Sequence, residues 1–305
     1  MTAVVLRERE QEAPHRNLKA TTPAMNTAQA LAMLGARHPG RRAFITGAAS
    51  GLGRTLALRL GAAGWRLGLN DLDPAGLARV TAEAGGTPMP FAFDVADAAA
   101  FDAAAASFLA AHGAPDLLFN NAGIGCGGPF LDTPLAHWRE VLDVNLMGVV
   151  HGTRAFLPAM LQRRSGHVVN VASAAAFHAL PKFSAYSASK AAVAALSEAL
   201  RAELAGSGVD VTLKMTTFYR GAAIGAHTRG TDAIRRQAQA LVDRAPLDAA
   251  DAADRLLVHM ARRRFHAVYP AQARVLWAMK RHAPVLYLRL VPPVFAWLER
   301  RLGPG

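Results

Sequence analysis

Cysteine is almost absent: Cys126 is the single one in 305 residues, so no intrachain disulfide can form and nothing points to an oxidising compartment. The stretch before His38 lacks a continuous apolar core and does not read as a signal peptide, which makes the cytoplasm the expected location. Membrane-spanning length is lacking too. Residues 284–298, PVLYLRLVPPVFAWL, fall short of the ~20 apolar residues that a span requires and are interrupted by proline and arginine. Acidic residues are scarce at one end only: residues 255–305 hold ten Lys and Arg against one acidic residue, whereas residues 41–254 hold 19 against 18. The net charge of +12 therefore belongs mainly to the C-terminal tail. Its basic residues are interleaved with Trp277, Tyr287, Leu288, Phe295 and Trp297, a mixture that suits a membrane surface or an acidic partner better than nucleic acid.

Apolar residues are plentiful, at 52% of the chain with a mean hydropathy of +0.15, enough to fill the core of one large α/β domain or two small ones. Residues 1–40 read as a poorly ordered extension with a short helical stretch around Thr27 to Arg37. From Arg42 short apolar runs alternate with helix-length segments: AFIT, RLGLN, PFAF, DLLFN, HVVNVA, VDVTLKM and FHAVY. That alternation specifies a doubly wound parallel sheet of about seven strands, Rossmann-like, with helices on both faces, over residues 41–270. Residues 217–247 break the pattern with glycines and charges, and their place after a strand makes them a candidate lid or a plain surface loop. Residues 271–305 form the basic amphipathic tail.

Three features carry chemistry. The turn TGAASGLG, Thr46 to Gly53, follows a strand and opens a helix, where glycines let the backbone approach a pyrophosphate and unpaired N–H groups favour negative charge. Asp71 ends the next strand, about 20 residues beyond the glycines, where a carboxylate accepts from ribose hydroxyls and repels a 2′-phosphate. It favours NAD, with NADP as the second choice because Arg54 is close in sequence; helix capping is the plainer role for Asp71 and Asp73, and Asp73 suits it better. Tyr186 and Lys190 stand four residues apart on one helix face, with Ser173 upstream. A phenol near pKa ~10 needs lowering by about three pH units, ~4 kcal/mol, to transfer protons at neutral pH, and the neighbouring ammonium is the expected source.

Together these residues resemble the short-chain dehydrogenase/reductase family from about Arg42 to Tyr269. The motifs run in the family's order: TGAASGLG, Asp71, Asp94 and Val95 in FDV, NNAG at 120–123, Asn145 in DVNLMG, Ser173, then Tyr186 and Lys190. The resemblance implies a catalytic set of Asn145, Ser173, Tyr186 and Lys190, in which Tyr186 exchanges a proton with the substrate oxygen, Ser173 hydrogen-bonds it, Lys190 binds the ribose and lowers the phenol's pKa, and Asn145 holds a water linking Lys190 to solvent. Plainer roles are backbone satisfaction for the asparagine and capping for the serine. The resemblance also implies cofactor contacts from Gly47, Ser50, Gly51, Leu52, Gly53, Asp71, Asp94, Val95, Asn121, Ala122, Gly123, Tyr186, Lys190, Thr216 and Thr217, a homo-oligomer, and no metal. One departure stands out. Thr216 and Thr217 occupy the place of the family's Pro-Gly pair, and Gly221 that of a following threonine.

The substrate wall is expected from Gly125 to Phe130, Ala174 to Phe183 and the 217–247 segment, with Phe177, His178, Leu180, Phe218, Tyr219 and Ile224 suggesting a bulky, largely apolar alcohol or ketone. The tail is expected to pack within the protein or an oligomer, with peripheral membrane contact as the second choice. The functional expectation is an NAD(P)-dependent oxidoreductase acting on a small molecule. Its rival is a catalytically weak, cofactor-binding scaffold that docks to a membrane or protein through its basic tail.

Overall fold

The computed structural model describes residues 25–291 and residue 293. Among the described residues nine strands occur in chain order: β1 Arg42–Thr46, β2 Arg66–Asp71, β3 Met89–Ala92, β4 Leu117–Asn120, β5 Gly125–Cys126, β6 Gly166–Val171, β7 Val209–Thr216, β8 Thr228–Arg229 and β9 His266–Tyr269. The helices are α1 Thr27–Arg37, α2 Gly51–Ala62, α3 Pro74–Glu83, α4 Ala98–His112, α5 Leu135–Leu142, α6 Gly148–Arg163, α7 Ser184–Glu203, α8 Asp232–Asp243, α9 Ala249–Ala261 and α10 Ala271–His282. Seven strands form one parallel sheet in the order β3-β2-β1-β4-β6-β7-β9, and β5 pairs with β8 in a separate two-stranded unit.

The order follows from the chemistry of the strands. β1, β4 and β6 are buried along almost their whole length and are largely apolar, so both faces of the sheet centre must be covered by helices. One layer packs Ile45, Leu67, Leu69 and Phe119 under Leu52, Leu56 and Leu60 of α2 and Leu256 and Leu257 of α9. The opposite layer packs Phe44, Leu118, Val168 and Leu213 under Phe101, Phe108, Phe156 and Val193. Phe44 is its centre, with Phe156 at 4.8 Å and Phe108 edge-on at 5.5 Å. The chain winds outward from β1 in one direction and from β4 in the other, so the connections part at the carboxyl ends of β1 and β4 and leave a crevice there.

The helical stretch expected at Thr27 to Arg37 is present as α1, but it is packed into the domain and is not part of a poorly ordered extension. Asn26 and Gln29 form a reciprocal capping box at 2.9 and 3.0 Å, which satisfies two of the helix's open donors. α1 then buries Ala30 and Leu34 in the core beside α9, and Arg37 donates to the Ala261 carbonyl at 3.0 Å. A buried apolar stripe and a cap at each end make α1 part of the domain; residues 1–24 lie outside the described residues.

Leu34→Ala should lower unfolding stability by about 2–5 kcal/mol, as expected for a fully buried leucine. Urea unfolding measures this, and a loss under about 0.5 kcal/mol would mean that α1 is not part of the cooperative unit.

Candidate active site

The turn after β1 is shaped by close approach. Gly47 and Gly51 have φ of 66° and 51°, the region that glycine adopts at least cost. A Cβ on Gly53 would stand 2.0 Å from the Gly47 carbonyl oxygen, so only glycine lets α2 start this close to the turn. Ser50 caps α2 by position without a side-chain hydrogen bond, leaving the first N–H groups of the helix free of a side-chain acceptor. Asp71 Oδ2 accepts from Ala49 N at 2.8 Å and its Oδ1 from Asp73 N at 3.0 Å. The carboxylate is thereby fixed at the end of β2, while Asp73 caps α3 through Ala75 N at 3.1 Å. Arg54 does not join Asp71; it pairs with Glu83 on the surface.

Asn121 closes the crevice between β1 and β4. Its Nδ2 donates to the carbonyls of Thr46 and Gly47 at 2.8 and 3.1 Å, and Thr46 Oγ1 accepts from the N–H groups of Asn121 and Ala122, both at 3.0 Å. Asp94 is held by Ala96 N at 2.9 Å. A single cavity of about 610 Å³ is lined by Gly47, Ser50, Gly51, Leu52, Asp71, Asp94, Val95, Asn121 and Ala122 toward one end, by Ser173, Tyr186, Lys190, Thr216 and Thr217 toward the other, and by Gly123 beside Lys190. Two of the expected residues stand behind that wall. Gly53 packs the turn, and Asn145, fully buried in a π-helical turn at Asp143–Met147, binds Ile124 N and O at 2.8 and 2.9 Å and Ser189 Oγ at 3.0 Å. Asn145 Oδ1 and Lys190 Nζ both crowd Gly123, at 3.0 and 3.2 Å from where its Cβ would be.

At the end that holds Tyr186 and Lys190, burial decides the titration. Tyr186 and Lys190 are 8% and 4% exposed. Lys190 donates to the Val171 carbonyl at 3.0 Å and lies 5.9 Å from the centre of the Tyr186 ring. Desolvation pushes the phenol up to about 12, opposed by a side-chain hydrogen bond with Ser173, and pushes the Lys190 ammonium down to about 8. The expected lowering of the phenol by its helical neighbour is therefore not found: burial is the largest influence on Tyr186, and the one opposing it comes from Ser173. Ser173 has a second task, accepting from Ala175 N at 3.2 Å as the cap of a short 3-10 turn.

The sequence reading missed Lys214. It is 1% exposed in β7, lines the cavity, and is pushed down to about 7 by burial and by Lys190. A lysine inside the apolar strand pattern VDVTLKM was the available signal. The loop at Thr216 also differs from the resemblance: β7 runs through Thr216, and the backbone reaches positive φ at Gly221, 78°, whose carbonyl packs against Gly51.

The substrate side matches the expectation in part. His178, Leu180, Phe218, Tyr219 and Ile224 line the cavity. Phe177 instead belongs to the core, and Phe130 is 65% exposed against Trp138. Gly125 and Cys126 are occupied by pairing with β8. Residues 217–247 are more regular than composition suggests, because α8 buries Ile234, Ala238 and Val242. Arg229 grips Glu140 with two hydrogen bonds, and Arg220 donates to the Ala245 carbonyl at 2.6 Å, so the segment is fastened across the cavity mouth. Beyond α10 the chain is helical again over 284–291, and Tyr287, 3% exposed, hydrogen-bonds His178. Leu276 of α10 joins the cavity wall. No helix among the described residues is long and apolar enough to cross a membrane.

Comparisons with known proteins agree with this geometry. A family model described as short chain dehydrogenase matches residues 41–227. The probable oxidoreductase EphD of Mycobacterium tuberculosis is 44% identical over 199 residues, 62% of this chain and 33% of that protein, so the chain spans about a third of that relative's length. The 2-dehydro-3-deoxy-L-rhamnonate dehydrogenase (NAD(+)) of a Sphingomonas species is 42% identical over 180 residues, covering 59% of this chain and 72% of that one. Among solved structures, a short chain dehydrogenase/reductase from Burkholderia phymatum in complex with NAD superposes with a TM-score of 0.74 at 34% identity, covering 83% and 96% of the two chains. A metagenomic short-chain oxidoreductase in complex with NADP gives 0.60 at 33% identity, covering 73% and 90%.

The two buried lysines make a pH prediction. Their folded values of about 8 and 7 lie below lysine's ordinary 10.5, so between about pH 7 and pH 10 the unfolded chain binds more protons and stability rises with pH. Lys214→Met should flatten that rise and stabilise the ligand-free protein near neutral pH by about 1–4 kcal/mol. Urea unfolding across the window is the check; an unchanged slope would show that Lys214 is not desolvated as described.

Proposed function

The chain belongs to the short-chain dehydrogenase/reductase family, and from that premise we propose that it is a nicotinamide-dependent oxidoreductase acting on a bulky, largely apolar secondary alcohol or ketone, with NAD(H) preferred. The observation that carries this reading is a single cavity holding the glycine turn and Asp71 at one end and Ser173, Tyr186 and Lys190 at the other.

The residues present suit the cofactor. The turn from Gly47 to Gly53, where a Cβ on Gly47 would crowd Ala122 at 3.0 Å and one on Gly51 the Gly221 carbonyl at 2.9 Å, leaves backbone room and helix N–H groups for a pyrophosphate. Asp71 would hold a ribose, Asp94 and Val95 an adenine, Asn121 to Gly123 and Lys190 the second ribose, and Thr216 and Thr217 the carboxamide end. A bound nicotinamide would supply the hydride chemistry. The chain supplies the proton and its placement.

A phenol held near 12 stays protonated at neutral pH, which is the state needed to donate to the oxygen of a carbonyl. Ser173, hydrogen-bonded to Tyr186, can hold the same substrate oxygen with its hydroxyl. Lys190, anchored on Val171 O, keeps a cation beside the phenol so that negative charge left after donation is stabilised. Tyr219 and Leu276 among others give the remaining wall an apolar character, which supports a bulky apolar substrate. Preference for NAD(H) rests on the fixed carboxylate of Asp71 and on Arg54 being committed to Glu83 rather than to this site.

Tyr186→Phe should lower kcat by about 10²–10⁴-fold in a ketone and alcohol screen while leaving cofactor affinity within a few-fold. If the phenylalanine variant turned over at the wild-type rate, Tyr186 would not be the proton donor. Asp71→Ala should raise NADP affinity relative to NAD by about tenfold or more, because one repulsive charge is removed. An unchanged ratio in parallel titrations would refute the ribose assignment.

A further inference from the structure

Lys214 has no part in the chemistry above, yet it lies in the same cavity wall. Its side chain emerges from β7 with the Tyr219 and Tyr269 rings at 4.8 and 5.8 Å from its Nζ, and it is 1% exposed. None of the hydrogen bonds or ion pairs among the described residues involves its ammonium. Aromatic faces soften the cost of burying a cation but cancel none of its charge.

The surrounding charges do not offset it. Asp71 and Asp94 stand beside the ends of β2 and β3, on the far side of β1, β4 and β6 from β7. Of the other acidic residues lining the cavity, Asp73 follows β2 and caps α3, and Glu140 is held by Arg229. Lys190 adds a second positive charge whose field acts on Lys214. Tyr219, which shares the wall with Lys214, is itself coupled electrostatically to Tyr186, so this group borders the reacting centre. Thr216, two residues along the same strand and therefore on the same face, presents a buried Oγ1 without a partner.

We propose that Lys214 makes this end of the cavity discriminate between the two oxidation states of the nicotinamide, holding the uncharged reduced ring more tightly than the cationic oxidised ring. The inference rests on the nicotinamide reading given above and goes beyond it by assigning a residue to cofactor redox state. Two like charges in a poorly screened cavity would repel, whereas a neutral ring meets no such field. By linkage, the same factor favours reduced cofactor with oxidised substrate on the protein over the reverse pair, leaving the overall equilibrium in solution unchanged.

The test is calorimetric titration of the full chain with NADH and with NAD, without substrate, at about pH 6, below the value to which burial lowers Lys214. Lys214→Met and Lys214→Gln both remove the charge, one leaving an apolar and the other a polar side chain, and circular dichroism confirms that each is folded. The expected result is that the ratio of the NAD to the NADH dissociation constant falls about tenfold in both variants, mainly through tighter NAD binding. A ratio within twofold of wild type overturns the proposal. Equal weakening of both cofactors overturns it in favour of a phosphate contact. Wild-type protein that binds neither cofactor would overturn the nicotinamide reading itself, a different outcome from an unchanged ratio.

Discussion

The clasp between Thr46 and Asn121 is the constraint on which the rest depends. It joins the carboxyl ends of β1 and β4, the two strands from which the chain winds in opposite directions, through Nδ2 of Asn121 and the hydroxyl of Thr46. With helices covering both faces, the gap left by that reversal is the place where a large ligand can reach the backbone. The glycine turn, Asp71 and the catalytic strand ends all face it because parallel strands bring their carboxyl ends to one edge. A shift in this clasp would move the turn relative to Ser173 and Tyr186, and the cavity would lose its continuity.

Desolvation is the second organising force. Tyr186, Lys190, Lys214 and Tyr219 meet where water is largely excluded, and each is driven toward its neutral form by burial. The phenol is thereby kept protonated and the lysines are made sensitive to whatever charge enters the cavity. The protein places this cost at the functional site, while the lower rim of the sheet uses paired charges, with Asp116 bound by both Arg42 and Arg163. Residues 217–247 and the helix at 284–291 fasten onto the cavity wall through Arg229 with Glu140 and Tyr287 with His178.

Much of the site was legible because its parts are local in sequence. A glycine turn between a strand and a helix, an aspartate ending the next strand, and a tyrosine and lysine one helical turn apart each follow from short-range geometry. Three placements went unforeseen for a common reason. Phe177 turned inward to the core, Gly125 and Cys126 were taken up by β8, and α1 proved to be covered by α9. Each outcome depends on a contact with a segment distant in sequence. The titration of Tyr186 is the subtlest case: the spacing brings an ammonium near, but the depth of burial determines which effect is larger.

By itself the order of residues determined the alternation of strands and helices, the parallel doubly wound sheet and the identity of the residues at its carboxyl edge. Those properties arise from hydrophobic period, capping and glycine geometry, which act over a few residues. Tertiary structure alone decided that Asn145 lies behind the wall, that Lys214 stands inside it, and that the helix at 284–291 brings Tyr287 to His178. Burial and electrostatic coupling are properties of everything packed around a group, so they exist only once the distant segments have met.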